Sequence, residues 1–233
     1  MKQLEPKKIL VVAAHPDDEV LGCGASIKKH TANGSCVWTL ILGEGVTARR
    51  DFREAQKKRA LYLLKQSAVQ ANKHLGVQKL IMENFPDNQF DSVPLLAIIH
   101  TIEKVLDAYK PDIIYTHHYG DVNIDHRIAH NALESCLRPM EKSCVTQAFA
   151  FEIASSTEWN FKKHSRFSPN MANNIEEKYL KAKIEALQGY ASEIRPFPHP
   201  RSPEYLRALA MVRGSQFGFP LAEAFELIYL RNK

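Results

Sequence analysis

The stretch that constrains this fold most is an apolar run that ends abruptly at a histidine and three acids. Ile9 to Ala14 contains only Ile, Leu, Val and Ala, and His15-Pro16-Asp17-Asp18-Glu19 follows directly. Because proline lacks the amide proton that a sheet requires, the strand is predicted to end at Pro16. Residues 21–30 are predicted to form a helix that ends at Asn33-Gly34. The histidine and the acids are therefore expected at the carboxyl end of a first strand, where ligands bind in open α/β sheets.

This segment carries the residue types of a catalytic metal site. His15 and Asp18 are three residues apart, so both side chains can turn toward one point at the start of the helix. A catalytic zinc takes three protein ligands of this kind and keeps one position for water. Asp17 is predicted not to coordinate the ion and to act as a general base on that water. The alternative is a helix start in which one Asp is the N-cap and Glu19 offsets the helix dipole, but one Asp would satisfy that role.

Length, charge and cysteine usage limit the class of protein. A chain of 233 residues accommodates one domain with a full hydrophobic core. The net charge of +5 is mild and compatible with an acidic or phosphorylated small substrate, and without a recognisable nucleic-acid module we expect no nucleic-acid partner. The four cysteines are scattered, so no disulfide framework is indicated. No stretch is typical of an export signal or a bilayer span, so a cytoplasmic protein without a membrane partner is expected.

Strands and helices are predicted to alternate along the chain. Further strands are predicted at residues 35–43, 79–83, 112–116, 145–153 and 225–230, and further helices at 53–75, 94–109, 128–137, 175–190 and 203–212. Strand cores that are continuously apolar predict an α/β fold with a Rossmann-like, mostly parallel sheet and helices on both faces. Residues 1–153 are expected to form the core, and residues 154–233 a cap over the strand ends and closing elements of the same single domain.

A dinucleotide-binding site is the usual alternative for such a sheet. The first turn contains Gly22 and Gly24 but no G-x-G-x-x-G pattern, and acids occupy the place where backbone amides would bind a pyrophosphate. The sequence therefore argues against a nicotinamide-dependent enzyme.

A second polar segment follows the strand at 112–116. It contains His117, His118 and Asp121, and it ends in Asp125-His126 at the start of the next helix. His126 can supply a third metal ligand if this strand lies beside the first one. Asp125 can orient an imidazole, either that of His126 or one nearby. A lone histidine at a helix start is usually a capping or surface residue, but the first motif favours the metal site here.

Together the two segments resemble a known family. Ala14 to Glu19, followed by Asn123-Ile124-Asp125-His126-Arg127, resembles the PIG-L (LmbE-like) family of zinc-dependent N-deacetylases, which remove acetyl groups from N-acetylglucosamine-type sugars and their conjugates. Residues 75–77, 85–87, 198–202 and 222–225 are similar to stretches of bacterial members. The resemblance implies that His15, Asp18 and His126 hold the metal, that Asp17 is the general base and that Asp125 is an acid supporting catalysis.

The sequence departs from the family pattern at two places. Asn123 stands where many members carry a histidine, so we expect Asn123 to contact the substrate, with His117 or His118 as the alternative source of an imidazole. Residues 64–67 read Leu-Lys-Gln-Ser where members tend to have Arg-Arg-Glu-Glu.

Four further residues are predicted to serve proton transfer or anion binding. The leaving amine must receive a proton, either from Asp17 acting as an acid or from His199, which lies between two prolines. The alternative for His199 is a surface histidine in a turn. Arg49, Arg50 and Arg53 follow the second strand and can receive a substrate phosphate or carboxylate, with a solvated helix face as the alternative.

The predicted function is hydrolysis of an N-acetyl group on an amino sugar or its conjugate, which can be nucleotide-linked. Trp159 is predicted to stack on a sugar face or to pack within a lid. An amidase for a larger acyl or thiol-conjugate amide, and a metal-containing sugar-binding module without turnover, are the alternatives. Zn²⁺ is the expected cofactor, with Fe²⁺ or another divalent ion open, since two nitrogens and a carboxylate suit both. A homo-oligomer is implied by the resemblance only.

Overall fold

A seven-stranded, mostly parallel sheet organises the protein. The computed structural model describes residues 5–45, 54–138 and 144–232. The strands are β1 (Lys8–Ala13), β2 (Cys36–Gly43), β3 (Lys79–Phe85), β4 (Ile113–His117), β5 (Gln147–Phe151), β6 (Met171–Asn174) and β7 (Ala222–Leu230). Their order across the sheet is β3-β2-β1-β4-β5-β7-β6. β1 to β5 are parallel, whereas β7 pairs antiparallel with both β5 and β6. The α/β fold predicted from the sequence is confirmed.

Helices cover both faces of this sheet because β1 is apolar on both sides. The helices are α1 (Asp18–Ala32), α2 (Glu54–Leu75), α3 (Leu95–Tyr109), α4 (Ile124–Cys136), α5 (Glu177–Gln188) and α6 (Pro203–Gln216). Ile9 and Val11 pack in one cluster with side chains of α1, α2, α5 and α6. Leu10 and Val12 pack in a second cluster with α3 and α4. All four of these side chains are completely buried, as expected for successive residues of a strand that point to opposite faces.

The second half of the chain does more than cap the strand ends. Ser155, Ser156, Trp159 and Arg201 do lie at those ends. However, the same half adds β6 and β7 to the sheet and α5 and α6 to one helical layer. The sequence did not predict β6, because Met171–Asn174 has no apolar alternation and forms a strand only by pairing with β7. Since one sheet receives strands from both halves, we propose that they form a single domain.

Helix α1 is broken by its contact with β5. Gly22 lies so close to Phe151 that an added Cβ would come within 2.3 Å of its ring, and Cys23 leaves helical geometry at φ −149° and ψ 25°. A buried ion pair supplies the hydrogen bonds that the break removes. Glu223 accepts from the amide of Ser26 at 2.6 Å, and Lys183 donates to the carbonyl of Leu21 at 2.7 Å and to Glu223 at 2.6 Å. Helix α5, which carries Lys183, and strand β7, which carries Glu223, therefore support the helix that follows the first motif.

We found no helix in the described ranges with the length and apolar character needed to cross a membrane.

Replacing Lys183 with Met is expected to lower the free energy of unfolding by about 3–5 kcal/mol, because Glu223 would stay buried without its cation. Urea denaturation measures this difference. The matched control on the same helix is Lys181→Met, whose side chain is 73% exposed and 3.8 Å from Glu185. That change is expected to cost at most about 1 kcal/mol. Equal losses in both variants would show that the buried pair has no such role.

A second pair, outside the cavity described below, predicts a pH-dependent contribution to stability. His118 Nδ1 lies 2.6 Å from Glu226 Oε2, and its Nε2 lies 2.9 Å from the carbonyl of Ser165. Burial lowers the pKa of His118, but these two acceptors outweigh burial and raise the pKa above the ordinary histidine value of 6.5. Stability from this pair is therefore present below about pH 6.5 and is lost as the pH rises through the raised pKa. The gap in unfolding free energy between wild type and His118→Gln should be larger near pH 6 than near pH 9 in denaturant titrations. A gap independent of pH would contradict this assignment.

Candidate metal centre

The two polar segments meet where the strand order reverses. β1 and β4 are neighbours and pair in parallel, although α1, β2, α2, β3 and α3 separate them in the chain. Their carboxyl ends therefore open on the same crevice, which is the usual ligand position of such sheets. A cavity of about 530 Å³ lies there. Its lining combines side chains from both segments with others from the second half: His15, Pro16, Asp17, Asp18, Gly45, Asp87, Asn88, Val122, Asn123, His126, Ser155, Ser156, Trp159, Glu193 and Arg201.

The turn after β1 separates the two neighbouring aspartates. Asp17 is the N-cap residue of α1 and has a left-handed backbone conformation, with φ 108° and ψ −26°. Its side chain makes no capping hydrogen bond, so the capping role considered for this residue is not what its carboxylate does. Asp18 begins the helix, and its Oδ2 accepts from the amide of His15 at 2.8 Å. The two carboxylates therefore have different partners, as a ligand and a base would.

Three buried side chains bring ligand atoms to one point. His15 Nδ1 lies 3.4 Å from Asp18 Oδ2, and His126 Nε2 lies 3.3 Å from the same oxygen. The ligand atoms of the three residues are all within 4.8 Å of one another. Zinc bonds of about 2.0–2.1 Å at tetrahedral angles place ligand atoms about 3.3–3.4 Å apart. His15, Asp18 and His126 therefore fit a divalent cation, and they are the three residues that the two sequence segments and the family resemblance indicated as ligands.

Each histidine of this group has a further carboxylate beside the ring nitrogen that faces away from Asp18. Asp125 Oδ2 lies 2.8 Å from His15 Nε2 and also accepts from the amide of Asn88, while its Oδ1 accepts from the amide of Phe90. The partner of Asp125 is therefore His15. The sequence had left open whether Asp125 contacts His126 or another nearby imidazole. Because its oxygens already have these partners, we assign it to support of His15 and not to a second metal position, although His15, Asp87 and Asp125 also cluster.

Asp121 lies beside the other nitrogen of His126, and no role was predicted for it from the sequence. Asp121 Oδ1 lies 3.2 Å from His126 Nδ1. The carboxylate also accepts from the hydroxyls of Ser156 and Thr157 and from the amide of Asn123. The contact with His126 is a close ion pair without hydrogen-bond geometry, and a carboxylate placed beside the second nitrogen of a ligating imidazole favours one orientation of the ring. The only signal in the sequence was its place in the second polar segment, which does not reveal the hydroxyls from the second half.

The charges of the site favour a cation. Burial lowers the pKa of His15, but hydrogen bonds to Asp125 and Asp18 outweigh it and raise the pKa to about 10. Burial likewise lowers the pKa of His126, while Asp18 and Asp121 raise it to about 9. The carboxylates that favour positive charge on these two rings would also stabilise a divalent cation held between them.

His117 and His118 do not join the three ligand residues. His117 Nε2 accepts from the amide of Ala14 at 2.8 Å, so the lone pair of that nitrogen is already used. Its ring stacks on His126 with centroids 4.0 Å apart, and burial lowers its pKa well below the usual value. His118 contacts Glu226 instead.

Arg201 holds the predicted base, and the sequence analysis gave this residue no role of its own. Its Nη1 donates to Asp17 Oδ2 at 2.8 Å and to Glu193 Oε2 at 3.0 Å, and its Nε donates to Ser155 Oγ at 2.8 Å. Burial raises the pKa of Asp17 well above its usual value, although Arg201 acts in the opposite direction. An arginine 184 residues from its partner could not be assigned from spacing.

The remaining predicted residues lie at different distances from the centre. Asn123 and Trp159 line the cavity. Asn123 also caps α4 by accepting from the amide of Asp125, and it donates to Asn88. His199 is half-buried beside Trp159, with ring centroids 6.2 Å apart, and its Nδ1 accepts from the amide of Arg201. The predicted anion-binding arginines lie outside the described residues: Arg49, Arg50 and Arg53.

Comparisons with known proteins point to one family. Residues 10–137 match the model of the PIG-L family, described as GlcNAc-PI de-N-acetylase. The chain is 26% identical over 193 residues to the uncharacterized deacetylase YaiS of Escherichia coli, which covers 80% of this chain and 91% of that protein. It is 24% identical over 191 residues to a probable N-acetyl-α-D-glucosaminyl L-malate deacetylase 2 of Bacillus anthracis, covering 80% and 81%.

Similarity in three dimensions extends over nearly the whole chain. The N,N'-diacetylchitobiose deacetylase of Pyrococcus horikoshii, solved with an inhibitor, superposes with a TM-score of 0.76 at 20% identity. The superposition covers 96% of this chain and 84% of the other. At that identity the likeness shows the fold, whereas the family model spans more than half of the sequence and both polar segments. The chain therefore belongs to the PIG-L family of deacetylases.

Proposed function

We propose that this protein is a zinc-dependent N-deacetylase that removes the acetyl group from an N-acetylated amino sugar or its conjugate. The observation that carries the proposal is the separation of roles at one strand end: His15, Asp18 and His126 converge on one point, while Asp17 faces the same cavity with other partners. The sugar substrate is supported by the names of the family and of the relatives, which act on N-acetylated sugars and their conjugates.

Asp17 is the general base in this proposal. Zinc, when bound by His15, Asp18 and His126, lowers the pKa of a water to about 7 and polarises the amide carbonyl. Asp17 takes the proton of the attacking water, a role to which a carboxylate with a burial-raised pKa is suited. Arg201 holds this carboxylate in place through its bonds to Asp17 and Glu193.

The C–N bond breaks when the leaving nitrogen receives a proton. Asp17 can return the proton that it took, because its carboxylate lines the cavity. His199 is the second candidate, and its Nε2 is the nitrogen that carries the proton when Nδ1 accepts from the Arg201 amide. We place Asn123 and Trp159 among the groups that contact the sugar, since both line the cavity.

Acetate release tests this function directly. Metal-stripped protein is incubated, with and without zinc, with free, glycosidic and nucleotide-linked N-acetyl sugars. We expect zinc-dependent acetate from at least one class, and a parallel series with ferrous iron identifies the better ion. Stoichiometric zinc without acetate from any class would refute the proposal in favour of the larger-amide amidase or a binding module.

Replacing Asp17 with Asn is expected to leave zinc bound and to lower kcat by about 10²–10⁴-fold, because the amide cannot accept the proton of water. Metal analysis and acetate release are measured on the same sample. His15→Ala serves as the contrast, since it should lose both zinc and turnover. An Asp17→Asn variant with wild-type kcat would remove the base assignment.

Replacing Asp121 with Asn is expected to weaken zinc binding by about 10- to 100-fold, because His126 would lose the carboxylate that orients it. Calorimetric titration of metal-stripped protein with zinc measures the affinity. Asp107→Asn, an exposed position on α3, is the control and should bind zinc as the wild type does. Unchanged affinity in Asp121→Asn would show that His126 is held by other contacts.

A further inference from the structure

The backbone of Asp17 is held in a conformation that few residues adopt. At φ 108° it is one of the non-glycine residues with positive φ in the described chain. Such a conformation costs free energy and persists only where the surroundings determine it. Contacts that hold the backbone of Asp17 therefore also determine where its carboxylate lies relative to the ligand residues His15 and Asp18.

The amide of Asp17 is bound by its neighbour Glu19. Glu19 Oε2 accepts from this amide at 3.1 Å, and the residue is completely buried. A glutamate that reaches back to the N-cap amide is known from capping boxes, but there it comes from the third helical residue, whereas Glu19 is the second. Its bond is to the residue before the helix, so offsetting the helix dipole does not account for its position.

Glu19 is itself anchored from two other parts of the chain. Its Oε1 accepts from Asn72 Nδ2 at 2.9 Å and from Tyr190 Oη at 2.7 Å. Asn72 lies in α2 and also donates to the carbonyl of Ala68, and Tyr190 is completely buried just after α5. One carboxylate thus joins the amide of Asp17 to two elements far away in sequence.

We propose that Glu19 is a positioning residue, which holds Asp17 in its left-handed conformation and so aims the catalytic carboxylate into the cavity. This inference rests on Asp17 being the base of the proposed function. Glu19 is neither in the cavity lining nor among the three ligand residues, and its contact with the proposed base is through the amide of Asp17. The role of Glu19 differs from that of the ligand residues. Loss of the Glu19 side chain should misplace the base but leave His15, Asp18 and His126 able to bind zinc.

The test compares Glu19→Ala with Glu19→Gln, both loaded with zinc. We expect Glu19→Ala to bind one zinc with wild-type affinity and to keep KM for the best acetate-releasing sugar, while kcat falls about 10²-fold, the scale expected for a small misplacement of a reacting group. Glu19→Gln should recover most of kcat, since its carbonyl can accept from the Asp17 amide and its NH2 group can donate to Tyr190, although it loses the hydrogen bond from Asn72. Hydrogen exchange of the Asp17 amide, which needs no substrate, should accelerate in Glu19→Ala and stay slow in Glu19→Gln.

Glu226→Ala is the matched control for loss of stability. Glu226 is a largely buried carboxylate that binds His118 and the amide of Ser168, outside the cavity lining. This variant should lower Tm without changing kcat. Should Glu19→Ala fail to fold, Glu19→Asp keeps the charge, shortens the reach by one methylene and is expected to show the same loss of kcat.

Three outcomes would overturn the proposal. A folded Glu19→Ala with wild-type kcat, or one whose kcat falls only in proportion to lost zinc, would refute positioning of the base. Unchanged exchange at the Asp17 amide would refute it without any substrate. An active Asp17→Asn variant would refute the assignment of Asp17 as the base, and with it the proposed mechanism. An inactive Asp17→Asn variant together with a fully active Glu19→Ala variant would refute only the positioning role of Glu19.

Discussion

One buried oxygen, Asp18 Oδ2, connects the parts of this site. It accepts from the amide of His15 and lies within 3.3–3.5 Å of nitrogens of His15, His117 and His126. Burial raises its pKa, but the neighbouring imidazole of His126 and the hydrogen bonds from His126 and His15 outweigh burial and lower it well below the usual value. An ionised carboxylate in so buried a place requires cations around it, and protons or a divalent ion can serve. Asp125 and Asp121 lie beside the other nitrogens of His15 and His126, where carboxylates orient ligating imidazoles.

The second half of the chain supplies much of what keeps this arrangement in place. Arg201 and Glu193 flank the Asp17 carboxylate, and the hydroxyls of Ser156 and Thr157 hold Asp121. Further away, Lys183 and Glu223 satisfy the backbone groups at the break of α1. The elements after β5 therefore hold the strand-end turn in place through buried polar contacts. Removing one partner of such a contact leaves the other buried and unpaired, which is destabilising.

Local sequence predicted the elements well and their ends less well. The strands β1 to β5 and all six helices lie where apolar pattern and glycine or proline signals placed them. The start of α1 was predicted at Leu21 and lies at Asp18, and that of α4 was predicted at residue 128 and lies at Ile124. The first turn of each helix contains polar residues of the site, Asp18 in α1 and Asp125 and His126 in α4, so the apolar pattern was a poor marker of the start. β6 exists only through its pairing with β7, which a reading of single segments cannot detect.

By itself the sequence determined the α/β fold, the residue types at the two strand ends and the separate role considered for Asp17. These follow from local rules: β-branched strands, proline as a terminator, and residue types whose chemistry is distinctive at short spacing. The grouping of His15, Asp18 and His126 rested in addition on the family resemblance and on β4 lying beside β1. Only the tertiary structure decided that Asp125 orients His15, that Asp121 orients His126 and that Arg201 holds Asp17. Such contacts join residues up to 184 positions apart. No periodicity encodes them, because they arise when parallel strands bring their carboxyl ends together and later segments fold over that edge.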